Sequence, residues 1–227
     1  MAPKLLVVDD EPEVLKLLKT MLESFGCEVL ATADSQGAAQ RANREKFDAI
    51  FVDAWMPILD GFALTEQIRK SPSNSRVPIV MLTGSDDAQT MSRGFKSGVT
   101  FFLGKPFDTK KLFGLFKALR GTMLKEKRHR ARVPLRTVVT CTVGKKHFRA
   151  GSLNIGEGGI LLESSGGLEV GQIVDVLFTL PSIPQPLNPR AKAVRRESRD
   201  RIALRFVEFK PEQQKMLQDF IAELVKL

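Results

Sequence analysis

Residues 100–108 read TFFLGKPFD, an apolar run that closes on Lys105 and Pro106. Three other runs share its form: LLVVDD at 5–10, DAIFVDAWMPILDG at 48–61 and VPIVMLTG at 77–84. Each is short, apolar and ended by polar residues, and helix-length amphipathic stretches separate them, which is the pattern of a parallel sheet with helical crossovers. The strand ends of such a sheet open into one shared crevice. Asp9, Asp10, Asp53, Thr83 and Lys105 all fall at those ends. Three carboxylates, a hydroxyl and an ammonium gathered there suit a hard cation and a phosphoryl group better than they suit packing. A lone loop acid reads as a solvated residue; five matching positions do not.

A carboxylate such as Asp53 repels an incoming phosphate. A cation held by Asp9 and Asp10, together with the Lys105 ammonium, has to neutralise the charge that builds during in-line transfer. Pro106 restricts the Lys105 backbone to extended geometry. Asp60–Gly61 reads as a turn and helix start.

The motifs VVDDE, DxxMPxxDG, TG and KP, in that order within residues 1–121, closely resemble those of response-regulator receiver domains. The resemblance implies a flavodoxin-like fold, a doubly wound five-stranded parallel α/β sheet. It implies Mg²⁺ bound by Asp9, Asp10 and Asp53, with Asp53 the phosphoacceptor and a sensor histidine kinase the donor. Thr83 would hydrogen-bond the phosphoryl oxygens, Lys105 would pair with them, and the Lys105–Pro106 bond would be cis. Phe102 matches the switch aromatic that turns inward on activation. Trp55, two residues after Asp53, stands where family members vary and where the side chain influences access of the hydrolytic water.

At 227 residues the chain is long enough for two cores. Its formal charge is +9, unevenly spread: residues 1–121 hold 16 Lys+Arg against 15 Asp+Glu, leaving 19 against 11 for residues 122–227. A basic half points to a polyanionic partner (nucleic acid, anionic lipid or a nucleotide) or to a solvated face. Cys27 and Cys141 lie apart, as two reduced thiols of a cytoplasmic protein. With only His129 and His147 and no Cys-x-x-Cys, transition-metal chemistry is not expected. No apolar run approaches the ~20 residues of a membrane helix, so neither secretion nor membrane insertion is expected.

EPEVLKLLKTMLESFG sets Val14, Leu18, Met21, Leu22 and Phe25 at helical spacing with Gly26 as a stop, and DTKKLFGLFKALR repeats the pattern from a cap at Asp108. After Gly121 the basic run GTMLKEKRHRARVP ends in Pro134, and the boundary falls here. Then come RTVVTCTV, HFRAGSLNI, GGILLES, QIVDVLFTL, PRAKAVRRE and RIALRFVEF, six β-like segments that suggest a small antiparallel barrel. A last helix is expected from Pro211, with Met216, Leu217, Phe220 and Leu224 on one face. No recognition-helix pair, zinc finger or basic zipper is present, which counts against DNA as a partner.

Two features of this half are similar to PilZ domains, which bind cyclic di-GMP. RHRAR gives Arg128 and Arg132 at RxxxR spacing before the first strand; NIGEGG gives Asn154, Gly156 and Gly159 at the spacing of [DN]xSxxG. The resemblance implies that these five residues bind the dinucleotide. Arginine suits that role, because its planar fork grips guanine O6 and N7 or a phosphate and its face stacks on a base. Asn154 offers donor and acceptor to a guanine edge. Gly156 departs from the usual serine and supplies no hydroxyl.

The expected organisation is a receiver at 1–121, a basic linker at 122–132 and a six-stranded PilZ-type barrel with a C-terminal helix at 133–227. The expected function is a cytoplasmic response regulator, not a metabolic enzyme, that couples phosphorylation to cyclic di-GMP and acts on a downstream protein target. The alternative is a phosphorylation-controlled adaptor whose barrel binds a protein and no nucleotide; a nucleic-acid-binding regulator is more remote.

Overall fold

The computed structural model describes residues 2–84, 87–163, 166–181 and 183–225, apart from the side chain of Arg128. The chain divides into two units, Met1–Glu126 and Lys127–Leu227. In the first, strands and helices alternate: β1 Lys4–Val8, α1 Pro12–Ser24, β2 Glu28–Thr32, α2 Ser35–Arg44, β3 Ala49–Asp53, α3 Gly61–Lys70, β4 Ile79–Thr83, α4 Ala88–Ser97, β5 Phe101–Gly104 and α5 Thr109–Arg130. The five strands are parallel in the order β2-β1-β3-β4-β5.

The central strands are buried on both faces, which explains why they read as continuous apolar runs and not as alternations. Along β1, Leu5 and Val7 join Leu18, Leu22, Leu112, Phe116 and Leu119 on one side of the sheet. Leu6 and Val8 join Ala38, Ala42, Leu64 and Ile68 on the other. Aspartates start the helices: Asp34, Asp60, Asp87 and Asp108 each accept a backbone N–H three residues on, satisfying a donor the helix leaves unpaired. α1 has no such cap and begins instead with Pro12.

α5 does not stop at Gly121. It runs on to Arg130, so most of the basic stretch read as a linker is helix. A helical glycine costs only about 1 kcal/mol, and Met, Leu, Lys, Glu and Arg around it are strong helix formers. Met123, beyond the glycine, is buried in the first core. The chain leaves the helix just before Val133–Pro134, where a proline disfavours helical backbone in the residue before it.

The second unit contains β6 Val133–Pro134, β7 Val138–Val143, β8 Lys146–Gly156, β9 Gly159–Glu163, β10 Ile173–Leu180, β11 Ile183–Leu187, β12 Arg190–Ser198, β13 Arg201–Glu208 and α6 Pro211–Val225. Six of these close an antiparallel ring, β7-β8-β9-β13-β12-β10 and back to β7, with β6 and β11 as short additions. These six are the segments the sequence marks as strands. β10 alternates exposed and buried residues throughout, as a strand with one face on a core must. Val139, Cys141, Ile160, Leu162, Val176, Phe178, Ile202 and Leu204 fill the interior, and α6 covers it with Leu217 and Ile221. Leu224, expected on that face, is 53% exposed; Ile221 is buried instead.

Candidate functional site

The first site lies at the strand ends. Asp9 follows β1, Asp53 ends β3, Thr83 ends β4 and Lys105 follows β5, so the sheet's topology brings them together. Lys105 Nζ lies 2.6 Å from Asp53 Oδ1, 2.8 Å from Asp9 Oδ2 and 2.9 Å from Glu11 Oε1. The other Asp53 oxygen, Oδ2, accepts the Trp55 N–H at 2.8 Å. Lys105 is itself anchored through its backbone N–H to the Thr83 carbonyl at 2.7 Å, and the Lys105–Pro106 bond is cis. Thr83 is buried and Asp10 is exposed.

Asp9 is fully buried. Its Oδ1 accepts the Glu11 N–H at 3.0 Å, while the neighbour of Oδ2 is the Lys105 ammonium at 2.8 Å, which is shared with Asp53 and Glu11. Burial raises the Asp9 pKa, and the hydrogen bonds from Lys105 and Glu11 only partly offset that. For Lys105, burial alone would lower the pKa; the hydrogen bonds to Asp53, Asp9 and Glu11 outweigh it and the net shift is upward. An anionic pocket with a buried carboxylate oxygen matches the oxygen donors a hard divalent cation takes. Among the described residues no three acidic, His or Cys side chains form a closed metal cage.

Phe102 is half-buried, edge-on to Phe95 with ring centroids 5.1 Å apart, and packs with Ala54, Phe62, Met81 and Val99. Trp55 is 57% exposed and meets Phe62 edge-on at 5.5 Å. Arg93 of α4 stacks on Phe62 at 4.1 Å and bonds Asp60 at 2.7 Å, tying α4 to the loop that follows Asp53.

The second site is a cleft of about 350 Å³ on the barrel, where residues 129–132 lie along the β8–β9 hairpin. Arg132 Nε donates to Asn154 Oδ1 at 2.6 Å, and its fork reaches the Gly159 carbonyl at 3.5 Å. His129 Nδ1 is 3.2 Å from Glu157 Oε2 in the hairpin turn, and β6 pairs with β8 through Val133↔Ile155 and Pro134↔Asn154. Burial lowers the Arg132 pKa, with Glu197 opposing and Arg195 adding to the effect; the side chain keeps solvent access, which screens these influences.

The two glycines of NIGEGG do different work. A Cβ on Gly159 would strike the Leu204 carbonyl of the neighbouring strand, so this glycine is required by strand packing. A Cβ on Gly156 would sit 2.8 Å from the Ala131 carbonyl, so glycine lets residues 131 and 132 approach the hairpin. Arg128 belongs to the last turns of α5, but its side chain lies outside the described residues.

Comparison with known proteins divides the chain in the same way. Residues 5–117 match the response regulator receiver domain family and residues 126–223 the PilZ domain family. The chain joins a receiver domain to a PilZ domain. It is 31% identical over 117 residues to the Synechocystis DNA-binding dual master transcriptional regulator RpaA, covering 52% of this chain and 48% of that protein. It is 33% identical over 119 residues to the Caulobacter vibrioides response regulator PleD, covering 52% of this chain and 26% of that protein. The chain thus spans half or less of these relatives' lengths. Among solved structures, the Vibrio cholerae chemotaxis protein CheY4 is 29% identical with a TM-score of 0.51, covering 52% of this chain and 99% of that one. The receiver domain of the Pseudomonas aeruginosa sensor histidine kinase PA1611, which has a magnesium ion coordinated in its cleft, is 31% identical with a TM-score of 0.50, covering 53% of this chain and 99% of that one.

Receiver and PilZ domains are signalling modules and not catalytic ones. Among the described residues no helix is long and apolar enough to cross a membrane. Of the expected site residues, the receiver's fold gathers Asp9, Asp53, Thr83 and Lys105, with Asp10 exposed beside them; the PilZ fold gathers Arg132, Asn154, Gly156 and Gly159. Sequence reasoning missed Glu11, which shares Lys105 with the two aspartates, although VVDDE contains it. It also missed Arg195 and Arg205, which line the PilZ cleft.

Proposed function

We propose that this chain is a cytoplasmic response regulator that is phosphorylated on Asp53 by a histidine kinase, binds cyclic di-GMP in its PilZ domain and couples the two signals for a downstream protein target. The observation that carries the first half is the arrangement at Asp53, where one carboxylate oxygen meets the Lys105 ammonium and the other accepts the Trp55 N–H. The carboxylate is held from two sides and keeps lone pairs for attack. Mg²⁺, when held by Asp9, Asp10 and Asp53, supplies positive charge against the transferred group.

Lys105 does the work of a fixed cation. Its raised pKa keeps it charged at neutral pH, and an ammonium shared by three carboxylates can move onto phosphoryl oxygens as they arrive. The Thr83 hydroxyl, at the next strand end, would take a phosphoryl oxygen, and the half-buried Phe102 on β5 would follow it. The test is incubation with acetyl phosphate and Mg²⁺, read as acid-labile phosphate on the intact chain. The parent should incorporate it and Asp53→Asn should not; equal incorporation by both overturns the assignment.

For the PilZ half, support comes from Arg132 and Asn154 meeting beside a hairpin whose glycines leave its backbone open. Arg128, Arg132, Asn154, Gly156 and Gly159 form the proposed nucleotide site. No DNA partner is proposed. A specific observation favours the adaptor reading: Arg132 and Asn154 already satisfy each other at 2.6 Å, and position 156 has no hydroxyl. Losing one such hydrogen bond costs about 0.5–1.5 kcal/mol, or up to about 3 kcal/mol where the partner is a charged phosphate, roughly threefold to a hundredfold in affinity. Calorimetric titration with cyclic di-GMP separates the two readings, because only the first predicts binding.

A further inference from the structure

The PilZ cleft holds more positive charge than the arginine motif supplies. His129, Arg130 and Arg132 line one side, and Arg195 of β12 and Arg205 of β13 also line it. Among the described lining residues there is no carboxylate. The floor between them is small and aliphatic, built from the hairpin glycines and from Val194, Ala203 and Leu204. Four guanidiniums line one cleft; Glu197, paired with Arg195 and acting on Arg132, offsets part of their mutual repulsion, and a bound polyanion would offset more.

Strand register fixes where the extra arginines stand. Arg205 is the cross-strand partner of Gly159, the residue whose carbonyl Arg132 reaches. Arg195 pairs with Ala203, two residues from Arg205 on the same strand and hence on the same face of the sheet. Arg195 is held by Glu197, whereas Arg205 forms no ion pair among the described residues and is exposed. Arg205 is exposed and lines the cleft, so its place beside the glycine hairpin is accessible to a ligand.

We propose that Arg195 and Arg205 form a second anion-binding wall of the nucleotide site, so that the cleft grips a ligand with two phosphates, one by the arm and one by the strands. This rests on the cyclic di-GMP reading and extends it, since the residues implied by the motifs lie only on the arm and hairpin. Two phosphate-binding walls across an aliphatic floor fit a cyclic dinucleotide better than a mononucleotide. The His129 ring and the guanidinium faces are the flat surfaces in the cleft on which a base can stack.

The test is calorimetric titration of the full chain with cyclic di-GMP, at several salt concentrations, for the parent, Arg195→Ala, Arg205→Ala, Arg205→Gln and Arg201→Ala. Arg201 lies four residues before Arg205 on β13, is not among the residues that line the cleft, and serves as the control. Arg195→Ala and Arg205→Ala should each weaken binding roughly tenfold to a hundredfold. Both should also flatten the salt dependence, as expected when a phosphate contact is lost. Arg201→Ala should bind as the parent does. Circular dichroism and melting confirm folding, and Arg205→Gln keeps the test decisive if Arg205→Ala is unstable. If the parent binds and the Arg195 and Arg205 variants bind equally well, the second wall is wrong and the cyclic di-GMP reading stands. If the parent does not bind, both fall.

Discussion

The ring of Phe102 occupies the space that a side chain on Gly94 would fill. Gly94 is a buried position inside α4, so its backbone and the aromatic on β5 are in direct register. An alanine there improves helix propensity by about 1 kcal/mol, yet its methyl group would have to displace the ring or the helix, at about 1–3 kcal/mol. Gly94→Ala should therefore destabilise the receiver by up to about 2 kcal/mol in urea unfolding, and in a Phe102→Ala background the same change should stabilise. An equal effect in both backgrounds means that the two residues are uncoupled.

Trp55 stands over the Asp53 loop, edge-on to Phe62, with the Arg93 guanidinium 5.7 Å from its ring. If Asp53 is phosphorylated as proposed, a bulky ring there would hinder the water that hydrolyses the phosphoryl group. Trp55→Asn should shorten the phosphorylated lifetime by about threefold to tenfold, up to about 1.4 kcal/mol of barrier. Decay of labelled phosphoprotein after removal of the donor measures it, and an unchanged or longer lifetime counts against the shielding role.

Asn74 is fully buried, and its amide serves three backbone groups: Oδ1 accepts the Phe47 N–H at 3.0 Å, while Nδ2 donates to the Ala42 and Glu45 carbonyls at 2.6 and 2.7 Å. Alanine would strand all three in the interior. Asn74→Ala should cost about 3 kcal/mol or more, since each unsatisfied buried group costs about 1–3 kcal/mol. A loss under about 1 kcal/mol in denaturant titration would show that water replaces the amide.

What the sequence reveals follows from burial. Strands β1, β3, β4 and β5 stand out because their residues are apolar on both faces and their ends are polar; β2, EVLAT, lies at the sheet edge, is half-exposed and carries no such signal. Asn74 sits in SPSNSR, which reads as an ordinary polar loop, because a buried amide and a solvated one look alike in sequence. The glycine of NIGEGG that spaces strands and the one that admits the arm are equally indistinguishable. Arg205 alternates outward on a strand, where an arginine normally means solvent; only the closed barrel brings it to the cleft.

Burial pushes the Cys27 thiol up to about 11 and the Cys141 thiol up to about 12, from an ordinary 9.0. The unfolded chain releases these protons first, so the folded state binds more protons between pH 9 and the folded values. Stability from this source is complete below pH 9 and declines as pH rises, by up to about 1.4 kcal/mol per pH unit for each thiol. Unfolding free energies should fall between pH 9 and 10.5, and Cys141→Ala should show a shallower slope than the parent. Identical slopes would assign the alkaline loss to other groups.

α5 is one continuous helix from Thr109 to Arg130, carrying Leu112, Phe116 and Leu119 of the receiver core at one end and His129 and Arg130 of the PilZ cleft at the other. If the PilZ domain binds a nucleotide as proposed, a change in the receiver that moves or frays α5 would alter the cost of ordering the arm around it. Linkage then requires cyclic di-GMP to change the phosphorylation equilibrium by the factor that phosphorylation changes its affinity, about 5–150-fold for typical coupling. The measurement is cyclic di-GMP affinity with and without a beryllofluoride mimic on Asp53, in the parent and in Lys125→Pro, where a proline inside α5 breaks the helix. The parent should show two affinities and Lys125→Pro one, with both sites still loading. Equal affinities in the parent mean two independent modules, and a difference that survives the proline means that the signal travels by another route.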